Sequence, residues 1–445
     1  EEDAKTRKNT ALLIGDLKLE QAKEALIAAY LNETTLYVKS AYLTALGKLD
    51  VRENLEFFKN RLQEVKNQQV SADEQKHQGE EIRELNEIIL KTEGAKKHQF
   101  TGFQMPHEML LFTNREQREV TLSEVKEIGA SVQRKAELHP LGVLVFSKDV
   151  IPFTKLRTYR ELLFPIHTNE RIPAMPHRAA ELLWHSDLYA FLTECHEGDA
   201  PFFFRLEVKS AEPKTEFVKK LGASLEKKSD WKLANSTTDY EIEIRLIEAK
   251  DGSFVPFLKL YSMKMKRFAY RKNAIAMSIH PATAAMLMYL AKPYLKENAQ
   301  ILDPCCGVGT MLIERDILVP AREKYGIDIF GEAIDMAREN AALAGEKINF
   351  IHRDYFDFKH DYKFDEIVTN MPVKGKKSKE DMDAFYARFF EKSKSLLAED
   401  GIIIMYSNEV GFVKKQLRLQ PCYRLIQEYT IRKKDSYCLF IIGMK

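Results

Sequence analysis

Hydrophobic and polar positions along the chain fall into three regimes. Over residues 9–65 apolar residues recur every three to four positions, the period of an amphipathic helix, and the pattern repeats itself. Leu13, Ile14, Gly15 and Leu17 realign with Ala45, Leu46, Gly47 and Leu49 at an offset of 32. A short period with Ala/Leu seams and a glycine after each helix is what stacked helical hairpins need. From 71 to 97 the chain turns polar and leaves Ile82, Leu85, Ile88 and Ile89 as a narrow stripe, which predicts one long exposed helix or a linker ending near Gly94. Short alternating runs follow. Strands are predicted over 109–113, 130–137, 142–146 and 159–166, with a capped helix over 121–129. A helical stretch over 178–194, strands over 202–208, 240–246 and 254–261, and a helix over 215–225 form a second α+β group. The third regime alternates strand and helix: helices over 282–295, 333–343 and 379–397 separate strands over 301–303, 325–329, 349–352, 364–369 and 402–406. That spacing predicts a parallel, doubly wound sheet. A final pair of strands over 426–431 and 438–442 closes the chain.

Polar residues end four of these last strands. Asp303, Asp328, Asp354 and Asn370 each stand at a carboxyl end, where ligands of such sheets bind. Each alone reads equally well as a cap or a turn residue, but four in one crevice are hard to explain structurally. After Asp303 comes a small-residue turn with Gly307 and Gly309, and a helical pattern starts at Thr310 and Met311. Glycines there let backbone approach a ligand closely and deliver it to a helix N-terminus. Asp328, at the second strand end, can accept from both hydroxyls of a ribose, and Asp354 from an adenine amino group.

Composition narrows the class. The 445 residues, 45% hydrophobic, suffice for two to four domains, and 68 Lys+Arg against 66 Asp+Glu leave any nucleic-acid surface to be local. Five of the nine residues 264–272 are basic, with Phe268 and Tyr270 interleaved. Lys264, Lys266, Arg267 and Arg271 can therefore meet phosphates while the rings stack on bases, or form a solvated charged strand. Five cysteines without metal-ligand spacing fit reduced thiols in a cytoplasmic protein. The adjacent Cys305 and Cys306 read as small filler, and no metal is expected. No run reaches the ~18 apolar residues of a membrane span, and no signal peptide opens the chain. It begins at Glu1 without Met, so an N-terminal piece is expected to be missing.

The peptides HPATAAMLMYLA, ILDPCCGVGTMLIE, YGIDIF, MARENAALAG, HRDYFDF and VTNMP together resemble the class I S-adenosylmethionine-dependent methyltransferases. More narrowly they resemble the THUMP-associated RNA guanine-N2 methyltransferases, whose loop reads D-P-x-C-G-x-G-T. The resemblance covers about 265–445. FRLEVKS, a helix carrying Lys219, Lys220, Leu221 and Gly222, and ANSTTDYEIEIRL are similar to a THUMP domain, and VKSAYLTALGKLD resembles a HEAT repeat. The resemblance implies S-adenosyl-L-methionine as cofactor. Asp303, Gly307, Gly309 and Thr310 would hold its methionine part, Asp328 and Ile329 its ribose side, and Asp354 and Tyr355 its adenine side. The catalytic motif maps onto Asn370, Met371, Pro372 and Val373: the Asn370 side chain and the Met371 carbonyl accept from the acceptor amine, and Pro372 fixes the backbone. Val373 stands where the family has a Tyr or Phe that stacks on the flipped base. Losing such a ring costs about 1–3 kcal/mol, and Tyr355, Phe356 and Phe330 are the candidates to replace it. Lys374, Lys376 and Lys377, followed by Lys379, are placed to contact phosphate beside the base pocket.

The expected organisation is multidomain: a HEAT-like helical arm and linker helix over 1–97, an α+β ferredoxin-like module over 98–176, a THUMP-like RNA-binding module over 177–272, and a Rossmann-like methyltransferase domain with its terminal antiparallel hairpin over 273–445. The expected partner is RNA, most plausibly tRNA, with no membrane. The arm is expected to dock on another domain or a partner, and reads equally as a stabilising extension and as a substrate-binding or protein-binding surface. Methylation of another amine (adenine N6 or a protein side chain) and a non-catalytic RNA-binding scaffold are the other readings of the same residues.

Overall fold

The computed structural model describes residues 3–71, 73–93, 97–129, 132, 134–198, 201–375 and 377–445. The chain forms two compact units, one from residues 1–101 and 166–262, the other from 102–165 and 263–445. These divisions cut the chain at places other than 97/98, 176/177 and 272/273.

In the first unit, helices Ala4–Asp16, Lys23–Asn32, Leu36–Leu46 and Leu55–Asn67 build the arm around Tyr30, Val38, Leu43, Leu46 and Phe58. The repeated glycines mark close approaches. A Cβ on Gly15 would stand 2.6 Å from the Ala45 Cα, and one on Gly47 3.3 Å from Ile88. Helix Gln75–Glu93 is not an exposed linker, because its stripe of Ile82, Leu85 and Ile88 is buried in the arm core. Its buried Glu81 accepts from the Tyr30 hydroxyl and from Arg61 at 3.2 Å, as a buried carboxylate requires. Strands Phe254–Leu260, Ile242–Glu248, Phe202–Lys209 and Leu233–Asn235 lie side by side in that order. The last two pairings are parallel, which demands crossovers such as helix Thr215–Lys228. Trp231 packs against the arm core, and Lys227 donates to the Gln75 side chain at 2.9 Å.

The second unit opens with an antiparallel group ordered Lys135–His139, Gly142–Ser147, His107–Phe112 and Glu161–Pro165, with helix Arg118–Glu127. The first of these is shorter than the predicted 130–137 strand, whose residues 130, 131 and 133 lie outside the described set. Arg157 ties this group to the rest of the unit through paired 2.8 Å bonds to Glu314, while Asn114 and Gln117 donate to the carbonyls of Ile431 and Thr430 at 2.8 Å.

The remainder is a seven-stranded sheet whose strands we label β1 (Gln300–Asp303), β2 (Glu323–Asp328), β3 (Asn349–His352), β4 (Phe364–Asn370), β5 (Leu397–Ser407), β6 (Tyr423–Arg432) and β7 (Tyr437–Met444). Their order is β3-β2-β1-β4-β5-β7-β6, the first five parallel and the last two antiparallel. Both faces are covered, which is why the strands read as continuous apolar runs. In β5, Ile403 and Met405 face a core with Phe389 and Phe390 of helix Lys379–Leu396; Ile402 and Ile404 face Met286 and Leu287 of helix Pro281–Ala291. Helix Val410–Leu419 went unpredicted, although Val410, Val413 and Leu417 carry a helical spacing. Under the sheet, fully buried Arg315 makes two bonds to fully buried Glu366 (2.8 and 2.7 Å) and donates to the carbonyls of Lys296 and Val319.

Candidate active site

The turn between β1 and helix Thr310–Leu318 takes its shape from two glycines. Gly309, just before the helix, has φ +83°, and a Cβ there would meet the Phe350 ring at 2.8 Å; Gly307 has φ +50° with open space around it. Gly309→Ala is therefore expected to destabilise by about 2 kcal/mol or more, and Gly307→Ala by about 1 kcal/mol, in urea unfolding. Cys306 is buried beneath the turn, 3.0 Å from where a Cβ on Gly326 would stand, and burial raises both the Cys305 and Cys306 thiols. Cys306 is buried and Cys305 half-buried, and both line the cavity beside the turn.

The strand-end carboxylates hold the turn. Asp328 accepts from the N–H of Gly307 at 2.8 Å and of Phe330 at 3.0 Å. Asp303 is 1% exposed and accepts from the Cys305 N–H at 3.1 Å through one oxygen; its other oxygen and the Thr310 hydroxyl are buried without a partner. These two carboxylates, Phe330, and Asn370 through Val373 line one cavity of about 560 Å³.

Asn370 ends β4, paired across from Tyr406. The Met371 N–H is held by the Tyr406 carbonyl at 2.9 Å and its side chain is buried, while Pro372 and Val373 are half-buried. Ile329 is 58% exposed and its carbonyl accepts from His352.

Other predicted residues are used differently. Asp354 is exposed, lies outside the cavity lining, and caps the Phe356 N–H at 2.9 Å. Tyr355 is buried, its hydroxyl on Ser393 at 2.9 Å, so its ring cannot replace the one Val373 lacks. Phe356 is occupied by Arg388, 3.9 Å above it. In the basic run, Lys264 and Lys266 are exposed, but Arg267 spends its guanidinium on the carbonyls of Leu156, Tyr159 and Arg160 and sits 3.7 Å over the Tyr159 ring. Arg271 donates to Ile279 at 3.2 Å. Lys374 and Lys377 are exposed, the latter 5.2 Å over Phe385; Lys376 lies outside the described residues.

The cavity also takes residues with no sequence signal of their own: Asn114 and Arg160 from the antiparallel group, His280, and Tyr406, Arg432 and Tyr437 from the last strands. Pairing register and tertiary packing bring them there.

Residues 269–434 match the UPF0020 family, described as an RMKL-like methyltransferase domain. This stretch is an S-adenosylmethionine-dependent methyltransferase domain. A tRNA (guanine(10)-N2)-dimethyltransferase of Methanothermobacter thermautotrophicus is 32% identical over 36% of this chain and 46% of its own length. The chain thus spans less than half of that relative. TrmN from Thermus thermophilus superposes with a TM-score of 0.54 at 19% identity, covering 76% of this chain and 99% of that one. SMU.472, a putative methyltransferase complexed with SAH, does so with 0.57 at 14% identity, covering 76% and 98%. At such identities the likeness is one of fold. Among the described residues, no helix is long and apolar enough to cross a membrane.

The cavity has acceptors that would fit the cofactor. The unpartnered oxygen of Asp303 suits a cationic amino group, the open space at Gly307 admits a ligand against the backbone, and Asp328 stands beside it. Burial pushes the Asp303 carboxyl from 3.8 up to about 8, against the pull of the Cys305 N–H. A carboxyl raised on folding stabilises fully below its unfolded value. Stability should therefore fall as pH rises from about 4 to about 8, by up to about 1.4 kcal/mol per pH unit, and level off above. Thermal unfolding of the ligand-free protein across that range should show this slope, and Asp303→Asn should flatten it.

Proposed function

We propose that the chain methylates the exocyclic N2 amine of a guanosine in RNA, with tRNA as the substrate class. The observation that carries this reading is that Asn370, Met371 and Pro372 share one cavity with Asp303, Gly307 and Asp328. The guanine-N2 activity in the name of the archaeal relative, and the THUMP-like pattern over 177–272, support it. When bound, S-adenosylmethionine supplies an electrophilic methyl group.

Everything else is positioning. The Asn370 side-chain oxygen accepts one N–H of the acceptor amine, and the Met371 carbonyl accepts the other. The Met371 N–H bond to Tyr406 and the fixed φ of Pro372 hold that peptide in place. Acceptors aimed where positive charge develops on nitrogen favour the transition state, and no strong base is required. Lys264, Lys266, Lys374 and Lys377 are exposed cations available to the RNA backbone.

The test is incubation of the protein with labelled S-adenosylmethionine and total RNA, followed by mass spectrometry of the nucleosides. N2-methylguanosine is the expected product. Label in DNA or protein instead, or on adenine N6, would transfer the reading to another amine, a possibility Val373 keeps in play by offering no ring. Binding of RNA and cofactor without any transfer would make the chain a scaffold.

A further inference from the structure

The cavity has carboxyl groups at one end and guanidiniums at the other. Asp303 and Asp328 stand at the ends of β1 and β2. Across β4 and beyond it, the register assembles a different row. Asn370 pairs with Tyr406, and Tyr406 pairs with Leu439. Tyr437, two residues from Leu439, shares its face and pairs with Arg432. The Tyr406 and Tyr437 rings stack at 4.9 Å, and the Arg432 guanidinium lies 4.3 Å from the Tyr437 centroid. With strands about 4.8 Å apart, Arg432 on β6 is roughly 19 Å along the sheet from Asp303 on β1.

A second guanidinium reaches the same wall from another part of the chain. Arg160 lines the cavity and donates to the Thr283 hydroxyl at 3.2 Å. The Asn114 bond to the Ile431 carbonyl pins the hairpin next to Arg432. His280 also lines the cavity. Arg432 has a carboxylate neighbour in Asp435 at 3.5 Å, an exposed and solvent-screened pair. Two guanidiniums lining one cavity can take an anion, and the cofactor's cationic end belongs with the carboxylates opposite.

We infer that Arg160 and Arg432 bind the backbone phosphate beside the acceptor nucleotide, with Tyr437 holding the Arg432 guanidinium in place. The inference rests on the RNA reading above. It also accounts for Val373: with no ring to stack on the base at that position, the nucleotide is held through its phosphate. Charge-assisted bonds from a guanidinium fork suit a phosphate oxygen pair.

The test is binding of total tRNA to the full chain between 50 and 200 mM salt, with S-adenosylhomocysteine titration as the control for folding. Arg432→Gln and Arg160→Gln should each weaken RNA binding by about five- to tenfold and lower the salt slope, and the double variant should lose about 0.7 to 0.9 of it, one phosphate contact. Arg432→Lys should keep most of the slope, because the charge remains. Slopes unchanged in both glutamine variants, or a lysine that restores nothing, would overturn the phosphate assignment while leaving the RNA reading intact. A wild-type chain that binds no RNA would overturn both.

Discussion

Asn370→Ala should lower methyl transfer to RNA by about two to three orders of magnitude, the usual effect of removing one preorganised polar group at a reacting centre. Asn370 is placed by its β4 pairing with Tyr406, independently of the turn around Gly307 proposed to take the cofactor. Affinity for S-adenosylhomocysteine should therefore be unchanged. The residue is half-buried at a strand end, so unfolding free energy should move little. Single-turnover assays with labelled S-adenosylmethionine separate the chemical step from product release. Pro372→Ala, which loosens the turn but keeps the acceptors, should cost about tenfold, since small misplacement of reacting groups is already expensive. Transfer that survives Asn370→Ala at full rate would remove this residue from the mechanism.

The largest stability effect is expected at Glu366. Replacing it with alanine leaves the Arg315 guanidinium fully buried with only the Lys296 and Val319 carbonyls. It also removes the acceptor of the Lys296 N–H, 2.8 Å from Glu366. An uncompensated buried charge costs about 3–5 kcal/mol, a large share of the ~5–15 kcal/mol that holds a typical domain together. Urea unfolding should show a transition shifted by that amount. The double change Arg315→Met with Glu366→Leu should recover most of it, because both desolvated charges leave together. If the double variant is as unstable as Glu366→Ala, the loss comes from packing at β4 and not from the orphaned cation.

The methyltransferase domain was legible in the sequence because two local signals agree there: apolar runs of strand length, and a polar residue at the end of each. Asp303, Asp328 and Asn370 reach one cavity for that reason. Asp354 carries the same signal; one of its oxygens caps a short turn, and it stands outside the lining of that cavity. Arg267 shows the corresponding limit for basic runs. A guanidinium facing three carbonyl ends and one facing solvent are spelled alike. Arg160, Arg432 and Tyr437 had no signal, since long-range contacts and hairpin register bring them to the site. The stripe of helix Gln75–Glu93 was read correctly as apolar and narrow, yet its burial depended on a groove formed by the helices before it, Leu36–Leu46 and Leu55–Asn67.

The bonds from Arg157, Asn114 and Gln117 also bear on how the chain is made. Residues 102–165 leave the ribosome before the 166–262 segment, and their partners Glu314, Thr430 and Ile431 come later still. At roughly 5–20 residues per second, the wait for Glu314 lasts on the order of ten seconds, with the groups meant for those partners uncovered. The intervening unit can fold during that interval. A fragment starting at 263 would look complete in sequence, yet it would begin life with Glu314 left to the Tyr270 hydroxyl alone and one wall of its cavity missing.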